Sequence, residues 1–79
     1  MSREKLSSIL VREGFSVVSD NAWKMGDILI MLSKGFLYVT HNGVCSLNFP
    51  FREDDEFDVM VLEGNLVIWY GNIAFTQRI

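Results

Sequence analysis

The chain has 79 residues, 49% of them apolar, and a formal net charge of −3. That composition excludes a disordered segment and is typical of one small globular domain covering residues 1–79. The single cysteine, Cys45, excludes an intramolecular disulfide. The longest apolar run, Ile28 to Leu32, is far shorter than the roughly 20 residues that span a bilayer. We therefore expect a cytoplasmic protein without a signal peptide.

The first residues predict a helix over residues 3–13. Ser2 suits the N-cap position, because its hydroxyl can accept a hydrogen bond from a free backbone N–H of the first turn. One apolar stripe recurs at helical spacing and comprises Leu6, Ile9 and Leu10. Gly14 suits the left-handed residue that ends a helix, and Phe15 would then pack back against Leu10 in a Schellman motif.

The rest of the chain predicts antiparallel strands separated by two-residue turns. Asn-Gly at 42–43 is the strongest hairpin signal, because both residues accept a positive φ, and Gly-Asn pairs support the same pattern. The other turn pairs are 20–21, 34–35, 64–65 and 71–72. They predict a short hairpin (15–19 and 22–25) and two three-stranded meanders (27–33, 36–41, 44–49; then 57–63, 66–70, 73–78).

Pairing across the last two turns places Val61 opposite Ile68 and Ile68 opposite Phe75. One face of the second meander then carries Val61, Ile68 and Phe75. The opposite face is also apolar, because it carries Met60, Leu62 and Trp69. A sheet with one wet face would alternate apolar and polar residues. We therefore predict an α+β fold, with an N-terminal helix packed on a strongly curved antiparallel sheet of two three-stranded meanders. A small barrel is the alternative, and a homodimer or partner interface centred on Trp69 would also explain the pattern.

The connection between the meanders carries the densest charge in the chain. Five of the ten carboxylates lie within seven residues, which are Arg52, Glu53, Asp54, Asp55, Glu56, Phe57 and Asp58. Charge runs are usually solvated loops that also block edge-to-edge pairing of sheets. Here three rings bracket the carboxylates, Phe49, Phe51 and Phe57, and aromatic anchors ringed by charge are typical of interface hot spots. The same rings also suit core positions at a strand end, and the sequence leaves both interpretations open.

No residue pattern predicts an enzyme, a cofactor or a metal site. The candidate nucleophile and base are Cys45 and His41, but a turn at 42–43 projects them from opposite faces of the sheet. Cys45 is then expected to be a small buried hydrophobe. The acidic run lacks the spacing of a calcium loop, and Cys and His residues are too few for structural zinc.

We therefore predict a non-enzymatic protein-binding module that docks on a basic surface of a partner protein. The predicted partner-binding residues are Phe51, Glu53, Asp54, Asp55, Glu56, Phe57 and Asp58. A stoichiometric inhibitor of a nucleic-acid-binding protein fits, such as a virus-encoded inhibitor of the anti-CRISPR kind acting in the host cytoplasm. Direct nucleic-acid binding is disfavoured by the net negative charge. Two alternatives remain: a weak nucleic-acid binder using Lys24, Lys34 and Arg78, and a homo-oligomeric module whose interface contains Met60, Leu62 and Trp69.

Overall fold

The predicted helix is confirmed and ends one residue earlier than expected. In the computed structural model, which describes residues 1–79, α1 covers Arg3–Arg12. Ser2 Oγ accepts a hydrogen bond from the Lys5 amide at 3.1 Å, as an N-cap does. At the other end, Gly14 has a φ of 107°, and the Phe15 amide donates to the Leu10 carbonyl at 2.9 Å. This is the Schellman closure expected from the sequence, and it turns the chain sharply toward the first strand.

Eight strands follow, and all of them pair antiparallel. The first five form one sheet in chain order: β1 (Ser16–Ser19), β2 (Ala22–Met25), β3 (Ile28–Ser33), β4 (Phe36–His41) and β5 (Val44–Pro50). The last three form a second sheet, also in chain order: β6 (Phe57–Leu62), β7 (Asn65–Tyr70) and β8 (Ile73–Arg78). The α+β class is confirmed, but the sheets have five and three strands rather than three each.

A turn that the sequence analysis missed accounts for the difference. Met25 pairs with Ile28, so Gly26 and Asp27 form a two-residue turn that joins the first hairpin to β3. Gly26 has a φ of 58°, as the first residue of a type II′ turn requires, whereas Asp27 keeps a negative φ. The barrel alternative is wrong, because no strand pairing connects the two sheets and the ring of strands does not close.

The register of the second sheet also needs one correction. Val61 pairs with Leu66 instead of Ile68, because the turn is Glu63–Gly64 and not Gly64–Asn65. The pairing of Ile68 with Phe75 is confirmed. Moving the turn by one residue shifts the pairing by two, so every side chain keeps its predicted face.

The inner faces of the two sheets and one face of α1 share a core of 14 buried residues. Phe49 of β5 links the sheets, since its ring lies 4.9 Å from that of Phe75 and 6.0 Å from that of Phe57. Trp23 is fully buried beneath α1, and its indole N–H donates to Ser7 Oγ at 3.0 Å. The helix therefore closes one end of the space between the sheets. With ten residues, α1 falls well short of the length needed to cross a membrane, and no longer helix is present.

Neither curvature nor the helix covers the outer face of the three-stranded sheet. Leu62 is 56% exposed, Trp69 is 40% exposed and Met60 is only partly buried. The predicted curved sheet with its packed helix therefore does not bury this face. Its apolar residues Leu62 and Trp69 are open to solvent.

Candidate functional site

The acidic segment, residues 52–58, crosses from the end of β5 to the start of β6. Backbone hydrogen bonds hold it at both ends: the Phe51 amide donates to the Gly35 carbonyl at 2.9 Å, and the Gly71 amide donates to the Glu56 carbonyl at 3.1 Å. The amino group of Met1 donates to the carbonyls of Arg52 and Asp55, each at 2.9 Å, and also to that of Glu53. The backbone of the segment is therefore fixed against both sheets and against the start of the chain.

Two of the five carboxylates are bound within the fold. Asp55 Oδ2 accepts the Tyr70 hydroxyl at 2.9 Å and lies 3.5 Å from Arg52 Nε. This hydrogen bond raises the pKa of Tyr70 above its ordinary value of 10.0, because the carboxylate favours the protonated phenol. Asp58 Oδ1 accepts the Val59 amide at 2.9 Å and lies 3.3 Å from Arg12 Nη2. These two carboxylates stabilise the segment through contacts within the molecule.

The other three carboxylates have no partner within the molecule. Glu53, Asp54 and Glu56 are exposed, and none of them forms a hydrogen bond or an ion pair through its side chain. The segment therefore presents three free negative charges from a backbone that is held in place. This division between bound and free carboxylates has no signal in the sequence, since it depends on Arg12 and Tyr70.

The rings that bracket the segment belong to the core rather than to the surface. Phe49 and Phe57 are buried, and the Phe57 ring lies 4.8 Å from Tyr70 and 5.5 Å from Phe51. Only Phe51 keeps part of its ring accessible. Of the two interpretations that the sequence left open, core positions hold for Phe49 and Phe57, so Phe57 offers no accessible anchor.

A groove of about 590 Å³ separates the acidic segment from α1. The helix side contributes an apolar floor at Ile9 and two cationic side chains, Lys5 and Arg12. The opposite wall is the acidic segment itself, from Glu53 to Asp58. Charges of both signs thus line the groove, and Glu53, Asp54 and Glu56 are among its lining residues.

The end of α1 carries a polar network that the sequence did not reveal. Glu13 Oε1 accepts the Val61 amide at 2.8 Å, and Arg12 Nη2 donates to the Val59 carbonyl at 3.1 Å. Arg12 Nε also donates to Glu13 Oε2 at 3.0 Å. Accepting the Val61 amide, and then the Arg12 guanidinium, holds the pKa of Glu13 below its ordinary value of 4.5. Two adjacent residues at the end of α1 thus bind the outer edge of β6, at residues 46 to 48 positions further along the chain.

The candidate catalytic residues lie apart, as expected from their pairing. Thr40 pairs with Cys45 and His41 pairs with Val44, so Cys45 and His41 project from opposite faces. Cys45 is exposed, which corrects the expectation of a buried side chain. No three His, Cys, Asp or Glu side chains are grouped closely enough to hold a metal ion.

The basic residues proposed for nucleic-acid binding are dispersed. Lys24 pairs with Leu29 near the start of β3, Lys34 lies in the turn after β3, and Arg78 lies on the other sheet. The three residues are thus spread over both sheets, whereas a nucleic-acid footprint clusters its basic residues on one face.

Comparison of the chain with protein-family models, with curated proteins and with solved structures gives no match. The assignment of function therefore depends on the geometry of the chain alone.

Proposed function

We propose that this protein is a non-enzymatic binding domain whose acidic segment docks on a basic surface of another protein. The observation that supports the proposal is the division of the carboxylates. Asp55 and Asp58 are bound by neighbouring groups of the fold, whereas Glu53, Asp54 and Glu56 have no partner on the same fixed backbone.

A fixed loop with free charges suits recognition. Little backbone conformational entropy is lost when its carboxylates meet Lys or Arg side chains, because the backbone is already held by hydrogen bonds to both sheets. The charges also steer the encounter with a basic partner and increase the association rate. Arg side chains that bind phosphate bind carboxylates through the same pair of N–H groups. A stoichiometric inhibitor of a nucleic-acid-binding protein, of the virus-encoded anti-CRISPR kind, is therefore the partner relationship that we favour.

The proposal can be tested with an arginine-rich peptide as the model basic surface. We expect the triple variant Glu53→Gln, Asp54→Asn and Glu56→Gln to weaken its binding by about tenfold in low salt, since each exposed charge contributes up to about 1 kcal/mol. Binding would be measured by fluorescence anisotropy at several salt concentrations.

The matched control changes the same net charge elsewhere, with Glu4→Gln, Asp20→Asn and Glu63→Gln. Its side chains are exposed, and none of them belongs to residues 52–58. Equal weakening by both triple variants would show that only net charge matters, and it would overturn the proposed role of the segment.

The outer face of the three-stranded sheet supports a second candidate, self-association. Exposed Leu62 and Trp69 form an apolar surface beside the partly buried Met60, and surfaces of this kind are typical of interaction sites.

A further inference from the structure

The two edges of the three-stranded sheet differ in whether their outward-facing backbone groups are bound. The β6 edge is closed, because Glu13 and Arg12 bind the Val61 amide and the Val59 carbonyl. The β8 edge has no such cover: its only neighbour in a sheet is β7, and no turn or loop bonds to its free backbone groups. The one contact there is local, between Gln77 Nε2 and the Arg78 carbonyl at 3.0 Å.

The free groups of β8 can be identified from the pairing. Tyr70 and Ile73 flank a two-residue turn, so they form a hydrogen-bonded pair. Hydrogen bonding alternates along an antiparallel ladder, and the N–H and C=O groups of every second residue therefore point away from β7. Those residues are Ala74, Thr76 and Arg78, and all three are exposed.

Natural proteins protect an edge with a bulge, a proline, charges or a covering helix. The edge of β5 has an irregularity in its pairing with β4 and ends at Pro50. The edge of β1 has a similar irregularity and contacts α1. Strand β8 has no bulge, proline or covering helix, and Arg78 is its one charged residue.

We propose that β8 pairs antiparallel with β8 of a second copy of this chain, around Thr76, and so joins two three-stranded sheets into one of six strands. This register places Thr76 opposite Thr76, and Ala74 opposite Arg78 of the second copy. It is the register in which all three outward-facing residues of each strand find a partner. This inference places self-association at the edge of the sheet rather than on its outer face, and it is independent of the acidic segment.

The same register makes the strand complementary to itself. Ile73 is 56% exposed and Ile79 is 44% exposed, and the pairing sets each opposite the other across the interface. The Ile79 amide donates to the Gly64 carbonyl at 3.0 Å, so the ladder continues to that residue. The Ile73 side chain of each copy therefore contacts the Ile79 side chain of the other copy, and this contact occurs twice in the dimer.

Charge supports the same arrangement. Arg78 faces the small neutral side chain of Ala74, and Trp69 is the next residue in that row, since Trp69 pairs with Ala74. An Arg side chain that extends over Ala74 reaches the exposed face of Trp69, which gives a cation–π contact in each half of the dimer. No like charges meet in this register.

Disulfide trapping tests both the dimer and its register, with Cys45→Ser as the background. Thr76→Cys in that background brings two thiols opposite each other, with Cα atoms about 5.5 Å apart, which is within disulfide range. Ala74→Cys is the matched control, because its two thiols would lie about four residues apart along the strands, beyond reach. We expect rapid covalent dimer formation under mild oxidation for the first variant and little for the second.

Two outcomes would overturn the proposal: equal trapping of both variants, or no trapping of the first while circular dichroism shows it folded. Light scattering of the unmodified chain at up to about 1 mM gives an independent measurement, and a strict monomer there also contradicts the proposal. The triple acidic variant should dimerise normally. Failure of the dimer would thus leave the peptide-binding test untouched, and the reverse also holds.

Discussion

Strands β6 and β8 are the two edges of the same sheet, yet only one of them is closed. At β6, Arg12 and Glu13 supply two of the hydrogen bonds that a neighbouring strand would make. At β8, the corresponding groups of Ala74, Thr76 and Arg78 point away from β7, and no other strand, loop or helix binds them. The comparison shows that a charged helix end can replace a strand, and it identifies the edge that a partner strand can still reach.

The largest expected effect is a loss of stability, and it should differ between the two tryptophans, one in the core and one on the open face of the sheet. Trp23→Ala should lower the free energy of unfolding by about 3–5 kcal/mol, because its fully buried indole fills the space beneath α1. Trp69→Ala should cost less than about 1.5 kcal/mol, since that ring is 40% exposed on the face beside β8. Urea denaturation of dilute protein measures both, and similar costs would contradict the division into inner and outer faces.

The next effect comes from opening the β6 edge. Glu13→Ala leaves the Val61 amide without its acceptor and should cost about 1–2 kcal/mol. Glu13→Gln keeps an oxygen in place and should cost less. On the other edge, Arg78→Ala should change the stability of the dilute protein by no more than about 0.5 kcal/mol. A larger loss of stability for Arg78→Ala than for Glu13→Ala would contradict the difference between the two edges.

The stability contributed by Glu13 should also depend on pH. Its pKa is lowered in the folded state, so its contribution is complete above the ordinary value of 4.5 and is lost as the pH falls through the lowered pKa. The difference in stability between the unmodified chain and Glu13→Gln should therefore shrink as the pH is lowered below 4.5. A difference that grows on acidification would show that the carboxylate does not act through these contacts.

The smallest effect concerns the turn that sets the register of β6. Glu63 has a φ of 52°, a left-handed conformation that Asn tolerates better. Glu63→Asn should stabilise the protein by about 0.5–1 kcal/mol, because Asn-Gly is the preferred type I′ pair. Asn42→Glu is the reverse control, since Asn42 has a φ of 54° before Gly43 and should lose a similar amount. Thermal unfolding of both variants checks the prediction.

The positions of the strands could be predicted from the sequence because their signals are local. Turn residues such as Asn42 and Gly43 sit between apolar runs, and the helix carries its own cap and stop at Ser2 and Gly14. The number of strands in each sheet was missed at Gly26, because Gly-Asp is a weaker signal than Asn-Gly. At residues 63–65 both turn choices contain Gly64, and local pattern alone favoured the wrong one.

The candidate site was less predictable, because its contacts join distant parts of the chain. Glu13 meets Val61, and Tyr70 meets Asp55, but neither pair has a spacing that a local pattern could reveal. The burial of Phe57 likewise follows from the packing of one sheet on the other. The sequence could predict which residues are charged, but not which of those charges the fold leaves free.

Amide hydrogen exchange, measured residue by residue in dilute protein, tests the difference between the two edges most directly. We expect the Val61 amide, held by Glu13, to exchange at least about tenfold more slowly than the Thr76 amide after correction for intrinsic rates. Raising the protein concentration should then slow exchange at Thr76 and leave Val61 unchanged. Equal exchange at the two residues in dilute protein would contradict a closed β6 edge and an open β8 edge.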